Sequence, residues 1–406
     1  MNLTTCANLV GDRVDWPAHL ARAIAVAQNV LSAAPNPRVG CVILSSDGLR
    51  QVEGWHEAPG LAHAEVMALR NAKAAGMFVE GAIVFVSLEP CAHQGRTGPC
   101  AAALVEAGVA TVVIASLDPN PKVAGKGVAI LETAGIEVVH LTDLELPARD
   151  VNLGFFKRFE KGLPFVRLKL AMSLDGRTAL ANGESKWITG PAARQDVQRM
   201  RISASALVTG VGSVVDDNPS MNVRPEDLKL SSEEKARNEV LLTKQPLRVV
   251  LDSQLRTPTD AQIYRTATDS GRVVVHTLAS AEQQAAYRAA MTETDNVELV
   301  SGVANGLQGR ERVNLQSVLE YLAQNQCNEV MVEAGATLGG AFIDAGLVDE
   351  FVIFMAPKLL GGDGKPLLDI KSLACLSHAP MFDVCSLSQL DQDIKIVLRP
   401  KIGTLN

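Results

Sequence analysis

Strand-type and helix-type stretches alternate along this chain in two separate runs, and that rhythm constrains the fold more than any other feature. An apolar strand that returns to its sheet through an amphipathic helix builds a layered α/β domain with parallel pairing. In the first run, apolar residues recur at helical spacing from Trp16 to Leu31, and Pro35 and Pro37 stop the helix. Val39–Leu44 reads as a buried strand with a turn at Asp47-Gly48. A helix over 64–75, a strand over Ala82–Leu88 and a helix over Ala101–Ala107 stopped by Gly108 follow. The run closes with a strand over Thr111–Ala115, a helix over 127–134 ended by Gly135, and a strand over Ile136–His140. A largely parallel sheet is expected.

Residues 141–162 break the rhythm with charges, Pro147 and the run Phe155-Phe156-Lys157-Arg158-Phe159. The domain boundary is placed here, giving domains 1–162 and 163–406, with a helix across the junction that packs on both. From Phe165 the alternation restarts. Strands are expected at Phe165–Leu170, Ala206–Thr209, Leu247–Leu251, Arg272–His276, Val297–Val300, Glu329–Val332 and Glu350–Met355, with helices near 191–203, 281–291, 314–325 and 337–345. Residues 226–245 are densely charged and read as a surface insertion without a catalytic role. A length of 406 residues suits two domains, and 47% hydrophobic residues supply two cores, filled by aliphatic side chains because aromatics are only 4%.

The net charge of −7 argues against a nucleic-acid partner, which needs clustered cations. A small phosphorylated substrate needs only one or two. Seven cysteines, an odd number scattered over the chain, do not form a disulfide framework. Asp12, Arg13 and Asp15 interrupt any signal-like start, and no run approaches the ~20 apolar residues of a membrane span, so a cytoplasmic protein without a membrane partner is expected.

The chemistry-bearing residues of the first run sit at its strand–helix junctions. His63-Ala64-Glu65 opens one helix, Glu89-Pro90-Cys91 follows a strand, and Pro99-Cys100 opens another helix. One His and two Cys make three zinc ligands, and a three-ligand zinc keeps a fourth position for water, whereas structural sites close with four. The metal lowers the pKa of that water towards neutrality. Glu65 is then a carboxyl that does not ligate and stands close enough to carry protons to a leaving amine. His63-x-Glu65 with Pro90-Cys91 matches the zinc-deaminase pattern, but Ala92 to Pro99 put eight residues between the cysteines where two are usual. A structural zinc site would need His93 or His56 as a fourth ligand.

In the second run, Val330-Met331-Val332-Glu333 ends a strand and Gly335-Ala336-Thr337-Leu338-Gly339-Gly340-Ala341 opens a helix. Glycines and a helix N-terminus suit a nucleotide phosphate. The same glycines also suit close helix packing, and the string is not G-x-G-x-x-G, so both readings stand at this point.

The string from Glu89 to Cys100 resembles the long Cys–Cys loop of the bifunctional riboflavin-biosynthesis pyrimidine deaminase/reductase family. Pro35-Asn36-Pro37-Arg38-Val39-Gly40 and Gly60-Leu61-Ala62-His63-Ala64-Glu65 resemble its motifs too. So do Lys169–Arg177, Ser185–Gly190, Thr209–Pro219 and the Gly335 string, which resemble its reductase domain. Gln94 stands where the family often has a second His, Gly98 where it often has Pro, and Ser213 where it often has Thr. The resemblance implies a cytidine-deaminase-like three-layer domain followed by a dihydrofolate-reductase-like α/β domain that uses NADPH. It implies that Asn36, His56, His93, Arg96 and Thr97 contact the substrate. Arg96, a lone cation in a Gly-rich loop, also suits a phosphate on physical grounds. It implies that Ala171, Trp187, Ser213, Asp217 and Gly335, Ala336, Thr337, Leu338, Gly339, Gly340 and Ala341 hold the cofactor. Ser185, Arg201, Met221, Arg224 and Glu333 hold the substrate, and Lys169 lies beside the reacting ribose. Arg201 and Arg224 are suited to gripping a phosphate, and Lys169 to proton transfer if burial lowers its pKa.

The implied activity is zinc-dependent deamination of a phosphoribosylated diaminopyrimidine, then NADPH-dependent reduction of its ribosyl side chain. Two rivals remain: a zinc deaminase of another nucleotide or of tRNA with an unrelated second domain, and a non-catalytic zinc scaffold. Apolar C-terminal strands suggest a homo-oligomer, a dimer or tetramer.

Overall fold

Asp15 accepts a hydrogen bond from the Ala18 N–H at 3.0 Å and starts α1 (Trp16–Val26), which turns Leu20, Ala23 and Ile24 inward. The helix is shorter than its apolar pattern suggested, because a single 3₁₀ turn takes over at Ala27–Asn29. The structure, a computed structural model, describes residues 14–92, 98–268, 271–292, 295–305 and 311–401.

The chain forms two compact units. One ends at Lys161 and also includes Ser231–Leu241; the other comprises Gly162–Leu230 and the chain from Leu242 onward. Ser231–Leu241, part of the charged insertion, therefore folds with the first unit.

In the first unit, β1 (Gly40–Leu44) and β2 (Gln51–Trp55) form a hairpin closed at Ser45–Arg50. Then come α2 (Ala64–Ala74), β3 (Ile83–Val86), α3 (Cys100–Glu106), β4 (Thr111–Ile114), α4 (Lys126–Thr133) and β5 (Glu137–His140). The sheet order is β2-β1-β3-β4-β5. It is mixed rather than largely parallel: β1 runs antiparallel to both neighbours, while β3, β4 and β5 are parallel. β1, β3 and β4 are fully buried, so residues alternate between two cores. Ile43, Val84 and Val112 pack with α2 and α3 residues on one face, and Val42, Phe85 and Val113 with α1 residues on the other. α5 (Glu145–Asp150) and α6 (Leu153–Lys161) close this unit, with Phe155 and Phe156 buried against Leu88.

The second unit supplies β6 (Phe165–Ser173), β7 (Arg177–Ala179), α7 (Pro191–Ser203), β8 (Ala206–Gly210) and α8 (Val211–Asp217). After α9 (Ser232–Arg237) of the first unit come β9 (Leu247–Leu251), β10 (Val273–Thr277), α10 (Ala281–Ala290), β11 (Val297–Ser301), β12 (Ala304–Asn305), β13 (Arg312–Val313) and α11 (Leu315–Gln324). β14 (Glu329–Glu333), α12 (Ala336–Asp344), β15 (Glu350–Ala356), β16 (Lys365–Pro366), β17 (Phe382–Leu390) and β18 (Asp393–Pro400) finish it. The main sheet has nine strands in the order β11-β10-β9-β8-β14-β6-β15-β18-β17. Seven run parallel, and the β17–β18 hairpin adds an antiparallel edge. Its central strands are apolar on both sides, because helices cover both faces. Val330 and Val332 face one core while Met331 faces the other.

Candidate active sites

α2 begins at Ala64, so His63 is its N-cap residue and Glu65 lies in the first turn. β3 leads into Glu89-Pro90-Cys91, and Cys100 is the first residue of α3. Two helix starts and a strand end thus deliver the ligand set to one point. His63 Nδ1 lies 3.5 Å from Cys91 Sγ and 3.3 Å from Cys100 Sγ, and the three donor atoms are all within 4.8 Å of one another. A tetrahedral zinc puts nitrogen and sulfur ligands about 3.5 Å apart, so the trio fits zinc. The Cys100 N–H, at the start of α3, donates to Cys91 Sγ at 3.3 Å. The Cys91 thiol is drawn down to about 4, first by the hydrogen bond from the Cys100 thiol and then by His63 and that N–H. The Cys100 thiol is pushed up, because its neighbour takes the negative charge and burial disfavours a second one. A bound dication removes that conflict by deprotonating both. Glu65 is buried, and burial together with the Cys91 charge raises its carboxyl to about 7. A carboxyl poised there is suited to taking and returning a proton.

Asn36 and His56, expected to contact the substrate, come together beside this trio. The Asn36 amide nitrogen lies 3.0 Å from His56 Nε2, and His56 Nδ1 lies 3.1 Å from the Ala62 carbonyl. An amide donor on one side and a carbonyl acceptor on the other select the neutral Nδ1–H tautomer. Burial also holds the His56 pKa below its ordinary value. Both ring nitrogens are thereby committed, so His56 does not supply a fourth ligand. Its ring meets the His63 ring edge-on at 5.0 Å. The loop carrying Asn36 is braced by α6 and its lead-in. The Arg38 N–H donates to Asn152 Oδ1 at 2.7 Å, Asn152 returns a bond to the Arg38 carbonyl at 2.8 Å, and Arg158 donates to the Pro35 carbonyl at 3.2 Å. His93, Arg96 and Thr97 lie outside the described residues.

One residue of the site was in plain view and carried no role in the sequence reading. Glu89 is buried, and its carboxylate accepts four backbone N–H bonds: from Gly127 at 2.9 Å, Gly125 at 3.0 Å, Asp118 at 3.2 Å and Val128 at 3.3 Å. It pins the segment leading to Cys91 onto the loop before α4 and the first turn of that helix. Gly127 permits this approach, because a Cβ there would stand 1.9 Å from the Pro90 carbonyl oxygen.

The second unit holds a cavity of about 2030 Å³ near the C-terminal ends of β6, β8 and β14. Ligands of parallel α/β sheets gather at that edge. Lys169, Ala171, Ser185, Trp187, Arg201 and Ser213 line it, with Asp217, Met221, Arg224, Glu333 and the segment from Gly335 to Leu338. Ala341 lines it as well, whereas Gly339 and Gly340 do not. Both are buried on the packing side of α12, where a Cβ on Gly340 would lie 1.9 Å from the Asp369 carbonyl oxygen. Of the two readings of these glycines, close packing describes this pair, and phosphate access is left to the helix start at Gly335.

At the sheet edge, Glu333 and Lys169 are register partners on β14 and β6, with Lys169 Nζ 3.8 Å from Glu333 Oε2. Arg201 reaches from α7 and grips Glu333 with two bonds of 2.6 and 3.1 Å, its remaining Nη going to the Asn222 carbonyl. Burial alone would raise the Glu333 carboxyl, but the Arg201 and Lys169 charges outweigh it and hold it low. Burial lowers the Lys169 pKa. The Arg201 fork is thus occupied by Glu333 in this structure. Arg224 pairs with Asp227 through Nε at 2.5 Å and lines the cavity. Ser185 donates to Asp217 at 3.3 Å, and Trp187 is exposed beneath the Arg194 guanidinium at 4.7 Å.

Two family models match: the cytidine and deoxycytidylate deaminase zinc-binding region over residues 16–116, and the RibD C-terminal domain over 164–396. The chain is 44% identical over 387 residues to the riboflavin biosynthesis protein RibD of Haemophilus influenzae, covering 92% of this chain and 94% of that protein. It belongs to the RibD family. Escherichia coli RibD is 41% identical over 93% of this chain and 97% of its own length. Among solved structures, Acinetobacter baumannii RibD matches with a TM-score of 0.79 and 42% identity, over 95% of this chain and 98% of its own. A Thermotoga maritima structure, described as a diaminohydroxyphosphoribosylaminopyrimidine deaminase/5-amino-6-(5-phosphoribosylamino)uracil reductase, matches with a TM-score of 0.77 and 31% identity over 95% and 99%. This chain is therefore a riboflavin-biosynthesis enzyme with a zinc-binding deaminase domain and a reductase domain that implies NADPH. No helix among its described residues is long and apolar enough to cross a membrane.

Proposed function

We propose that the first site deaminates 2,5-diamino-6-(5-phosphoribosylamino)pyrimidin-4(3H)-one and that the second reduces the deaminated product to 5-amino-6-(5-phosphoribitylamino)uracil. The observation that carries this reading is Glu65, a buried carboxyl at about 7 in the helix turn that bears His63, beside a trio suited to zinc. Zinc, when bound, supplies an activated water at neutral pH. Glu65 would take a proton from the water as its oxygen adds to the ring carbon and deliver one to the exocyclic nitrogen, so that a C–O bond forms, the C–N bond breaks and ammonia leaves. His63, Cys91 and Cys100 hold the metal. The Asn36–His56 pair, with His93, Arg96 and Thr97, holds the pyrimidine and its phosphate.

In the second site, NADPH supplies the hydride to the ribosyl side chain. The N–H groups at the start of α12, from Gly335 through Leu338, line the cavity and would hold the cofactor phosphates. Trp187, Ala171, Ser213, Asp217 and Ala341 would hold the remainder, with Gly339 and Gly340 shaping the helix behind it. Lys169 sits at the reacting carbon, paired with Glu333, and Arg201 orients that pair. Ser185, Met221 and Arg224 hold the substrate, and Arg224 faces its phosphate. We assign the deaminase to residues 1–162 and the reductase to 163–406, with Ser231–Leu241 contributing to the former.

The protein works in the cytoplasm, as a homo-oligomer and without a nucleic-acid partner. Cysteines unbridged among the described residues and a net charge of −7 favour this. The long exposed edge strand β17, with Val384 and Leu387 outward, suits pairing with a second copy. Mass spectrometry of products tests the chemistry. Without NADPH only the deaminated pyrimidine should accumulate, and NADPH should convert it to the ribityl product. Absence of both products from a folded, zinc-loaded protein would overturn the reading.

A further inference from the structure

Ser231–Leu241 lies within the stretch matched by the reductase model, yet it folds as part of the first unit. It is built to hold a shape. Ser231 Oγ accepts the Glu234 N–H at 3.1 Å while Glu234 Oε2 accepts the Ser231 N–H at 2.8 Å, a capping box that starts α9. Arg237, in the last turn, is ion-paired with Glu233 on the same helix.

The two residues that end this helix reach two separate parts of the deaminase fold. Arg237 Nη1 donates to Asn29 Oδ1 at 3.2 Å, and its guanidinium lies 5.4 Å from the centre of the Trp55 ring. Asn238 is buried; its Oδ1 accepts the Leu31 N–H at 2.8 Å, and its Nδ2 donates to the Glu234 carbonyl at 2.9 Å. These two places feed one pair of residues. The chain from Leu31 turns at Ala33, whose carbonyl accepts the Asn36 N–H at 3.0 Å, and presents Asn36. Trp55 is the last residue of β2, and His56 follows it. Asn36 and His56 then meet at 3.0 Å beside His63.

We propose that Arg237 and Asn238 are positioning residues of the deaminase site. They fix the Asn29–Leu31 segment and the end of β2 relative to each other, and so set the Asn36–His56 pair. Neither touches the metal trio, and both come from a segment encoded within the reductase half of the chain. The proposal rests on reading Asn36 and His56 as substrate contacts.

The test uses the full-length, zinc-loaded protein. Deamination kcat and KM are measured by ammonia release for Arg237→Ala/Asn238→Ala, for Asn238→Asp, which keeps the acceptor for the Leu31 N–H, and for Asn36→Ala as a benchmark. Zinc per chain and NADPH-dependent reduction of the deaminated intermediate are measured alongside. The double variant should raise KM for deamination about tenfold, the scale of one lost buried hydrogen bond, with kcat, zinc content and reduction near wild type. Asn238→Asp should recover most of the KM. An unchanged KM in the double variant, with a raised KM in Asn36→Ala, overturns the proposal and leaves the site reading intact. An unchanged KM in Asn36→Ala overturns the site reading, and the proposal with it. If the double variant does not fold, Asn29→Ala removes only the Arg237 acceptor and carries the same expectation; a wild-type KM there overturns the proposal.

Discussion

Glu89→Gln removes one charge and changes two oxygens into one oxygen and one NH₂ group. In the native site, Oε1 accepts the Gly127 and Val128 N–H groups and Oε2 accepts those of Gly125 and Asp118. Whichever way the new amide points, two backbone donors lose their acceptor and face another donor. Hydrogen bonds to a charged group contribute roughly 1.5–3 kcal/mol each, so losing two costs about 3–6 kcal/mol. That is comparable with the whole stability margin of an ordinary domain, roughly 5–15 kcal/mol. The loss falls on the segment holding Cys91, two residues further on. Zinc should therefore leave the variant at least about tenfold more readily in competition with a chelator. Amide exchange should accelerate at two of the four donor positions, while NADPH-dependent reduction continues in the second unit. Wild-type zinc retention and wild-type exchange at Gly125 and Gly127 would refute the reasoning.

Two further expectations concern the second unit. Gly340→Ala drives a Cβ to within 1.9 Å of the Asp369 carbonyl oxygen, so α12 must shift. NADPH affinity, read by fluorescence titration, should fall about tenfold or more although residue 340 does not line the cavity, and wild-type affinity would contradict that account. His276 is buried, and burial lowers its pKa to about 4 from an ordinary 6.5. The unfolded chain then binds a proton between pH 6.5 and 4 that the folded chain refuses, so this contribution is present above pH 6.5 and is lost as pH falls. Between pH 7.5 and 5 it amounts to about 2 kcal/mol. Urea unfolding of the second unit should show wild type losing about that much more than His276→Gln over this range; parallel losses would contradict it.

The parts of the site that sequence made legible are those whose chemistry is local. His63, Glu65, Cys91 and Cys100 stand at strand–helix junctions that hydrophobic periodicity already marks, and the resemblance added Asn36 and His56. What stayed hidden depends on which face a residue turns to, or on polar contacts over long sequence separations. Gly335 and Gly340 share one string, yet one opens a cavity and the other seats a helix. Arg201 pairs through its fork with Glu333, 132 positions away, a contact that sequence spacing does not show. Ser231–Leu241 read as solvated charge, because its docking runs through Arg237 and Asn238 and leaves no apolar stripe. Strand β2 is not marked in the sequence because Gln51-Val52-Glu53-Gly54-Trp55 lacks a strand's apolar run.

Glu65 is the proposed proton carrier of the zinc-dependent deaminase. Glu65→Gln in the full-length chain, assayed for ammonia release, zinc per chain and NADPH oxidation with the deaminated intermediate, tests it most directly. Ammonia release should fall by about 10²–10⁴-fold, with one zinc retained and NADPH oxidation unchanged. Full ammonia release from the folded, zinc-loaded variant would contradict it.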